Sequence, residues 1–214
     1  MRLYLSSQYW GNQPNKLFGL IDSNKKHVGI ITNSTDLFPE EGTILRLNGD
    51  IDYLANNGFT SERLDLRDYF EQPEELKEKL NDFGLVWALG GNTFVLRRAM
   101  ARSGFDTIIR ELLAKDEIVY GGFSAGSCVA GATLHGIDIV DDIKSVPDGY
   151  TPEIIWDGLN FVTFAIAPHY KSDHPESSGI EKAVEYFQTN SISFKALRDG
   201  EALIVNNDKV ELLQ

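Results

Sequence analysis

Glu117-Ile118-Val119-Tyr120-Gly121-Gly122-Phe123-Ser124-Ala125-Gly126-Ser127-Cys128-Val129-Ala130-Gly131-Ala132 is an apolar run, a glycine-flanked serine and a stretch of small residues. The run predicts a buried strand over Ile118 to Tyr120, Gly122 to Gly126 a sharp turn, and Ala125 to Ala132 a helix. A serine at such a turn is lifted out of the sheet on a strained backbone, and the flanking glycines leave room for a ligand to approach. The amides that open the following helix point at the same spot, which suits a developing oxyanion. The spacing alone is weak, because strand–glycine–helix turns also bind phosphates. The strand before it and the helix after it make Ser124 a candidate nucleophile.

Outward from this turn, short β-rich runs alternate with helical patterns. Strands are expected at Arg2 to Ser6, His27 to Thr32, Ser61 to Leu66, Leu85 to Leu89, Phe161 to Ala167, Ala202 to Val205 and Val210 to Leu213. Thr43 to Ala55 carries Ile44, Leu47, Ile51 and Leu54 at helical spacing and runs into Asn56-Asn57-Gly58, a helix stop. Further helices are expected at Pro73 to Leu80, Asn92 to Ala101, Phe105 to Ala114 and Pro175 to Gln188, and Asp138 to Gly158 reads as a long loop or hairpin excursion. The alternation predicts one α/β domain over residues 1–214, with a mainly parallel sheet covered on both faces. Such sheets hold their sites at the C-terminal strand ends. That rule gathers Ser6-Ser7, Gly90-Gly91-Asn92-Thr93, Ser124 and His169 on one rim.

Composition narrows the partners. The chain of 214 residues holds 20 Lys and Arg against 32 Asp and Glu, a net charge of −12. No basic cluster exceeds Lys25-Lys26 or Arg97-Arg98, so no nucleic-acid partner is expected. One cysteine rules out an intramolecular disulfide and a cysteine-based zinc site. The amino terminus is too poor in apolar residues for a signal peptide, and no apolar stretch approaches the roughly 20 residues of a membrane span. A cytoplasmic protein, monomer or homodimer, is expected, with no membrane partner.

A serine hydroxyl needs a base, and four histidines are available. His27 opens an early strand away from the rim, His135 lies past the elbow helix, and His174 sits in the polar loop Lys171-Ser172-Asp173-His174-Pro175. Only His169 combines a strand-end position with a following loop, and it is the expected base. Its plain alternative is a histidine satisfying backbone groups. The acid that would orient it stays open: Asp138, Asp141, Asp142 and Asp199 each, taken alone, read better as solvated turn acids than as catalytic ones. Gly90-Gly91-Asn92-Thr93 would set a free amide beside that of Ala125 as an oxyanion hole, with Asn92 capping the helix or touching substrate. The competing reading is a capped tight turn. Cys128 and Trp10, Trp87 and Trp156 read as packing residues.

Leu89-Gly90-Gly91-Asn92-Thr93-Phe94, Gly122-Phe123-Ser124-Ala125-Gly126, Ala167-Pro168-His169-Tyr170 and Leu197-Arg198-Asp199-Gly200-Glu201-Ala202 together resemble the aspartyl dipeptidase (peptidase E) family of serine peptidases. The resemblance runs from about Leu85 onward. It implies a three-layer α/β/α fold akin to class I glutamine amidotransferases. It also implies hydrolysis of short peptides through a Ser-His-acid triad and an acyl-enzyme, with no cofactor or metal. Ser124 maps to the nucleophile, His169 to its base, and Gly91 and Ala125 to the oxyanion amides. Asp138 approximates one family position for the acid and Asp199 another, with Asp199 slightly preferred. The family's dipeptides carry an acidic N-terminal residue, recognised by an arginine after the histidine. Here that segment is His174-Pro175-Glu176-Ser177-Ser178, without arginine, and Lys171, Arg97 and Arg98 are the nearest cations in sequence.

Two other functions share these residues. An esterase-type serine hydrolase uses the same elbow, although no His-Gly-Gly-Gly motif accompanies it here. A panel of p-nitrophenyl esters set against short peptides separates the two. A non-catalytic ligand-binding relative would leave Ser124 unlabelled by a fluorophosphonate.

Overall fold

The computed structural model describes residues 1–207 and 209–214. The chain opens with β1 (Arg2–Ser6), α1 (Pro14–Phe18), β2 (His27–Ile31), α2 (Glu40–Asn56), β3 (Thr60–Leu64) and α3 (Pro73–Leu80). It continues with β4 (Leu85–Ala88), α4 (Thr93–Arg102), α5 (Phe105–Ala114), β5 (Val119–Phe123) and α6 (Ala125–Cys128). After a long irregular stretch come β6 (Ala165–Ala167), α7 (Ser177–Thr189), β7 (Phe194–Ala196), β8 (Ala202–Asn206) and β9 (Lys209–Leu213).

Seven strands form one sheet in the order β3-β2-β4-β5-β1-β8-β9. The first five are mutually parallel and β8 and β9 add an antiparallel edge. Side-chain alternation along β1 shows why both faces need cover. Leu3 and Leu5 enter the core with α3, α4 and α5, whereas Tyr4 joins Trp10, Leu17, Leu47 and Leu54 on the face of α1 and α2. The result is an α/β fold with helices on both sides of a mainly parallel sheet. A third apolar cluster, with Phe94, Cys128, Ile180 and Phe187, joins α4, α6 and α7 behind the elbow. No described helix is long and apolar enough to cross a membrane.

Three local expectations change. The elbow helix ends at Cys128 rather than Ala132. The carbonyls of Val129, Ala130 and Gly131 accept from the amides of Leu159, Phe161 and Asn160, so they are taken by a distant segment rather than by the next helical turn. For the same reason Phe161 and Val162, which both donate to Ala130 O, are not in a strand. What remains of that strand, β6, leaves the main sheet and pairs in parallel with β7, a strand the sequence does not announce. That small pairing builds one wall of the site.

Candidate active site

Ser124 follows β5 with φ 49° and ψ −114°, a conformation that costs a non-glycine residue roughly 1–3 kcal/mol and persists only when its surroundings hold it. They do. Ser124 N donates to Ser6 O and Ser7 O, and the amides of Ser127 and Cys128 donate back to Ser124 O at 2.9 Å. Ser127 Oγ donates to Ser6 O and Gly122 O, and the buried Tyr120 hydroxyl donates to Gly126 O at 2.7 Å. The turn is this tight because Gly126 has no side chain. A Cβ there would lie 2.2 Å from Ala88 O, in the neighbouring strand.

His169 and Asp199 come together through the β6–β7 pairing. Ala167 and Ala196 are register partners, so the residues two and three places beyond them leave the sheet side by side. Leu197 N donates to Ala167 O and Tyr170 N to Leu197 O, which ties the two exits together. His169 Nδ1 lies 2.6 Å from Asp199 Oδ1. An ionised carboxylate only accepts, so the proton sits on Nδ1 and Nε2 is left as an acceptor. Ser7, wholly buried after β1, joins them. Its Oγ accepts the His169 amide at 2.8 Å and donates to Asp199 Oδ1 at 2.9 Å. Asp199 N in turn donates to Ser172 Oγ. Burial pushes the imidazole of His169 below its ordinary pKa, against the pull of the Asp199 carboxylate.

Ser124, His169, Gly91 and Gly90 line one cavity of about 130 Å³, along with Gln8, Tyr9, Phe123, His174 and Glu176. Gly91 has φ 143°, and a Cβ there would lie 2.4 Å from Ser34 O, so only glycine fits. Among the described residues neither the Gly91 nor the Ala125 amide donates to a backbone carbonyl. Asn92 lies on the rim, but its side chain is engaged in structure. Oδ1 caps α4 by accepting from Phe94 N and Val95 N, and Nδ2 donates to Asp142 O.

The remaining sequence candidates lie elsewhere. Asp138 is exposed and caps its own loop, accepting from Gly136 N at 2.9 Å, and it does not line the cavity. His27 pairs with Thr60 and Glu62, and exposed His135 stacks on Trp156. Arg97 binds Asp106 and Asp157 O, buried Arg98 holds the carbonyls of Ile143 and Glu153, and exposed Lys171 sits over Tyr170. None of the three lines the cavity.

The sequence reading missed His174. It is half-buried and its ring lies flat on that of His169, with centroids 3.6 Å apart and planes 7° apart. With Glu176 these two histidines bring ligand-type atoms within 4.8 Å of one another. The stacking does not suit chelation, however. In-plane lone pairs of two parallel rings run side by side rather than converge on one ion. The arrangement is a stacked pair that covers one face of the imidazole of His169.

Over most of its length the chain is similar to proteins of one family. Residues 52–213 match the model of peptidase family S51. A Drosophila melanogaster protein named "Probable alpha-aspartyl dipeptidase" is 30% identical over 142 residues, which cover 64% of this chain and 56% of that protein. The "Uncharacterized peptidase Lmo0363" of Listeria monocytogenes is 31% identical over 157 residues, covering 73% of this chain and 72% of that one. A crystal structure of a peptidase E candidate from Listeria monocytogenes EGD-e superposes with a TM-score of 0.80 at 26% identity, covering 100% of this chain and 98% of that one. The match thus spans little more than half the length of the Drosophila relative. With its elbow, its strand-end histidine and this match over most of its length, the chain belongs to peptidase family S51.

Proposed function

We propose that the protein is a serine peptidase that hydrolyses short peptides. Ser124 Oγ attacks the scissile carbonyl while His169 Nε2 takes its proton. The carbonyl oxygen, now negative, is held by the amides of Gly91 and Ala125. His169 then protonates the leaving amine, and water, activated by the same imidazole, releases the acyl group from Ser124. Asp199 holds the imidazole in the tautomer that leaves Nε2 free and stabilises the imidazolium. Ser7 positions both by bonding to the carboxylate and to the His169 amide.

The observation that carries this reading is the 2.6 Å contact of His169 Nδ1 with Asp199, on a cavity shared with a serine in a strained turn. Incubation with a mixture of dipeptides, read by mass spectrometry, tests it. The wild-type protein should release free amino acids, and folded Ser124→Ala should not. Equal release by both would remove Ser124 from the reaction.

A further inference from the structure

Next to the small cavity is a second, of about 490 Å³, and the two share Gly90, Gly91 and Glu176. The larger one is lined by the apolar Leu37, Phe38 and Val140 and by the carboxylates Asp141, Asp142 and Glu176. No lysine, arginine or histidine lines it among the described residues. The cations near this cavity lie outside its lining. Arg98 is buried with its guanidinium on the carbonyls of Ile143 and Glu153, and Lys144 is exposed on the neighbouring loop. The carboxylates differ in how far they are already occupied. Asp141 Oδ2 accepts Thr93 N at 2.7 Å and Asp142 accepts from Lys144 N and Ser145 Oγ. Glu176, half-buried, lies 4.0 Å from His174 and, with His169, brings ligand-type atoms within 4.8 Å of one another, and it has no lysine or arginine partner among the described residues.

The chemistry proposed above decides which end of a peptide enters this space. The leaving amine must lie by His169, which protonates it. His169 does not line the larger cavity, whereas Gly91, beside the carbonyl oxygen, does. The acyl residue therefore extends past Gly91 into the larger cavity. In a dipeptide that residue carries the free α-ammonium.

We infer that this cavity binds the N-terminal residue of the substrate and that its carboxylates select a cationic one, lysine or arginine, over aspartate. The inference rests on the peptidase reading. Glu176, on the border of both cavities, meets the α-ammonium, and Asp142 at the rim meets the side-chain cation. The aliphatic stem of the residue lies on Leu37 and Phe38, as long cationic side chains do on apolar surface. An aspartate there would add a carboxylate beside Glu176 and Asp142, with no lysine, arginine or histidine among the lining residues to pair it. Repulsion between like charges a few ångström apart is worth about a factor of ten in affinity where solvent screens it only partly.

Two measurements test this. In the first, kcat/KM is compared for Lys-Ala, Arg-Ala, Ala-Ala and Asp-Ala at low salt. The basic dipeptides should exceed Asp-Ala by about tenfold or more. Asp142→Asn should lower the two basic dipeptides several-fold relative to Ala-Ala, mainly through KM, whereas Glu176→Gln should lower all four, whose α-ammonium is common, by about tenfold. Asp-Ala cleaved as well as Lys-Ala by the wild type would overturn the inference while leaving the peptidase reading intact. In the second, Ser124→Ala is titrated with free arginine, lysine and aspartate and followed by thermal shift. Arginine and lysine should raise Tm and aspartate should not, with the gain lost in the Ser124→Ala, Glu176→Gln double variant. If no dipeptide is cleaved but arginine still binds in this way, the peptidase reading fails and the cavity assignment stands. Stabilisation by aspartate, or by none of the three, overturns the inference.

Discussion

The ring of His174 lies flat on that of His169, 3.6 Å between centroids, five residues further along the chain. The positive φ of His169 and Lys171 turns the intervening loop back so that this contact forms. The stack keeps water from one face of the imidazole, and burial is the main reason the His169 pKa is held below its ordinary value of 6.5. Because the base must be neutral, the acid limb of kcat/KM should have its midpoint below 6.5. His174→Ala admits water and removes a like charge, and both effects raise His169. The acid limb should then move upward, with the loss of kcat/KM growing as pH falls below 6.5 and nearly absent at about pH 8. His174→Phe, which keeps a stacked ring, should retain the low midpoint. A pH–rate profile of the three proteins checks this, and an unmoved limb in His174→Ala would remove His174 from the positioning of the base.

The same depression has a sign for stability. Between the folded value and 6.5 the unfolded chain binds more protons at His169 than the folded one does. Stability contributed by this group is therefore full above that window and is lost as pH falls through it. Urea midpoints measured downward from pH 7 should fall, and His169→Gln should flatten the slope.

Asp199 and Asp138 separate the two possible acids. Asp199→Asn keeps the shape but favours the wrong tautomer, so kcat/KM should drop by about 10³–10⁴ with folding unchanged. Asp138→Asn, on an exposed loop, should stay within about twofold on activity and within about 0.5 kcal/mol on stability. A reversed order would assign the acid to the loop after the elbow.

Ser7 is the least expected member of the cluster, wholly buried and bonded to both partners. Ser7→Ala leaves the His169 amide without its acceptor and frees Asp199 to move. A loss of about 1–3 kcal/mol is expected, with a fall in kcat/KM that exceeds the fall in the folded fraction. Chemical denaturation alongside kinetics measures both. Unchanged kcat/KM would make Ser7 purely structural.

Gly126→Ala tests the elbow itself. Its Cβ would press on Ala88 O in β4, a backbone atom that cannot move aside, so destabilisation of about 3 kcal/mol or more is expected. A variant as stable as wild type would mean that the turn is looser than described.

Much of this was legible because it is local. An apolar run into Gly122-Phe123-Ser124-Ala125-Gly126 carries its own strand and turn, and a histidine after Ala165-Ile166-Ala167 carries its own strand end. The choice between Asp138 and Asp199 was not local. It depends on the parallel register of β6 with β7, and β7 is only three residues long, too short for the alternation of Phe194, Lys195 and Ala196 to stand out. His174 read as a loop residue because the left-handed turn that folds it back has no glycine to mark it. The elbow helix was overextended because the acceptors that stop it are met by Leu159 to Phe161, about 30 residues away. Small residues alone do not show that.

In the proposed mechanism Ser124 is a nucleophile activated by His169 and Asp199. Reaction with a fluorophosphonate, followed by intact-mass and peptide mass spectrometry, tests it most directly. One adduct per chain on Ser124, absent in Ser124→Ala and strongly slowed in folded His169→Gln and Asp199→Asn, is the predicted result. An unlabelled Ser124 in the folded wild-type protein, or labelling at the same rate without His169, would contradict it.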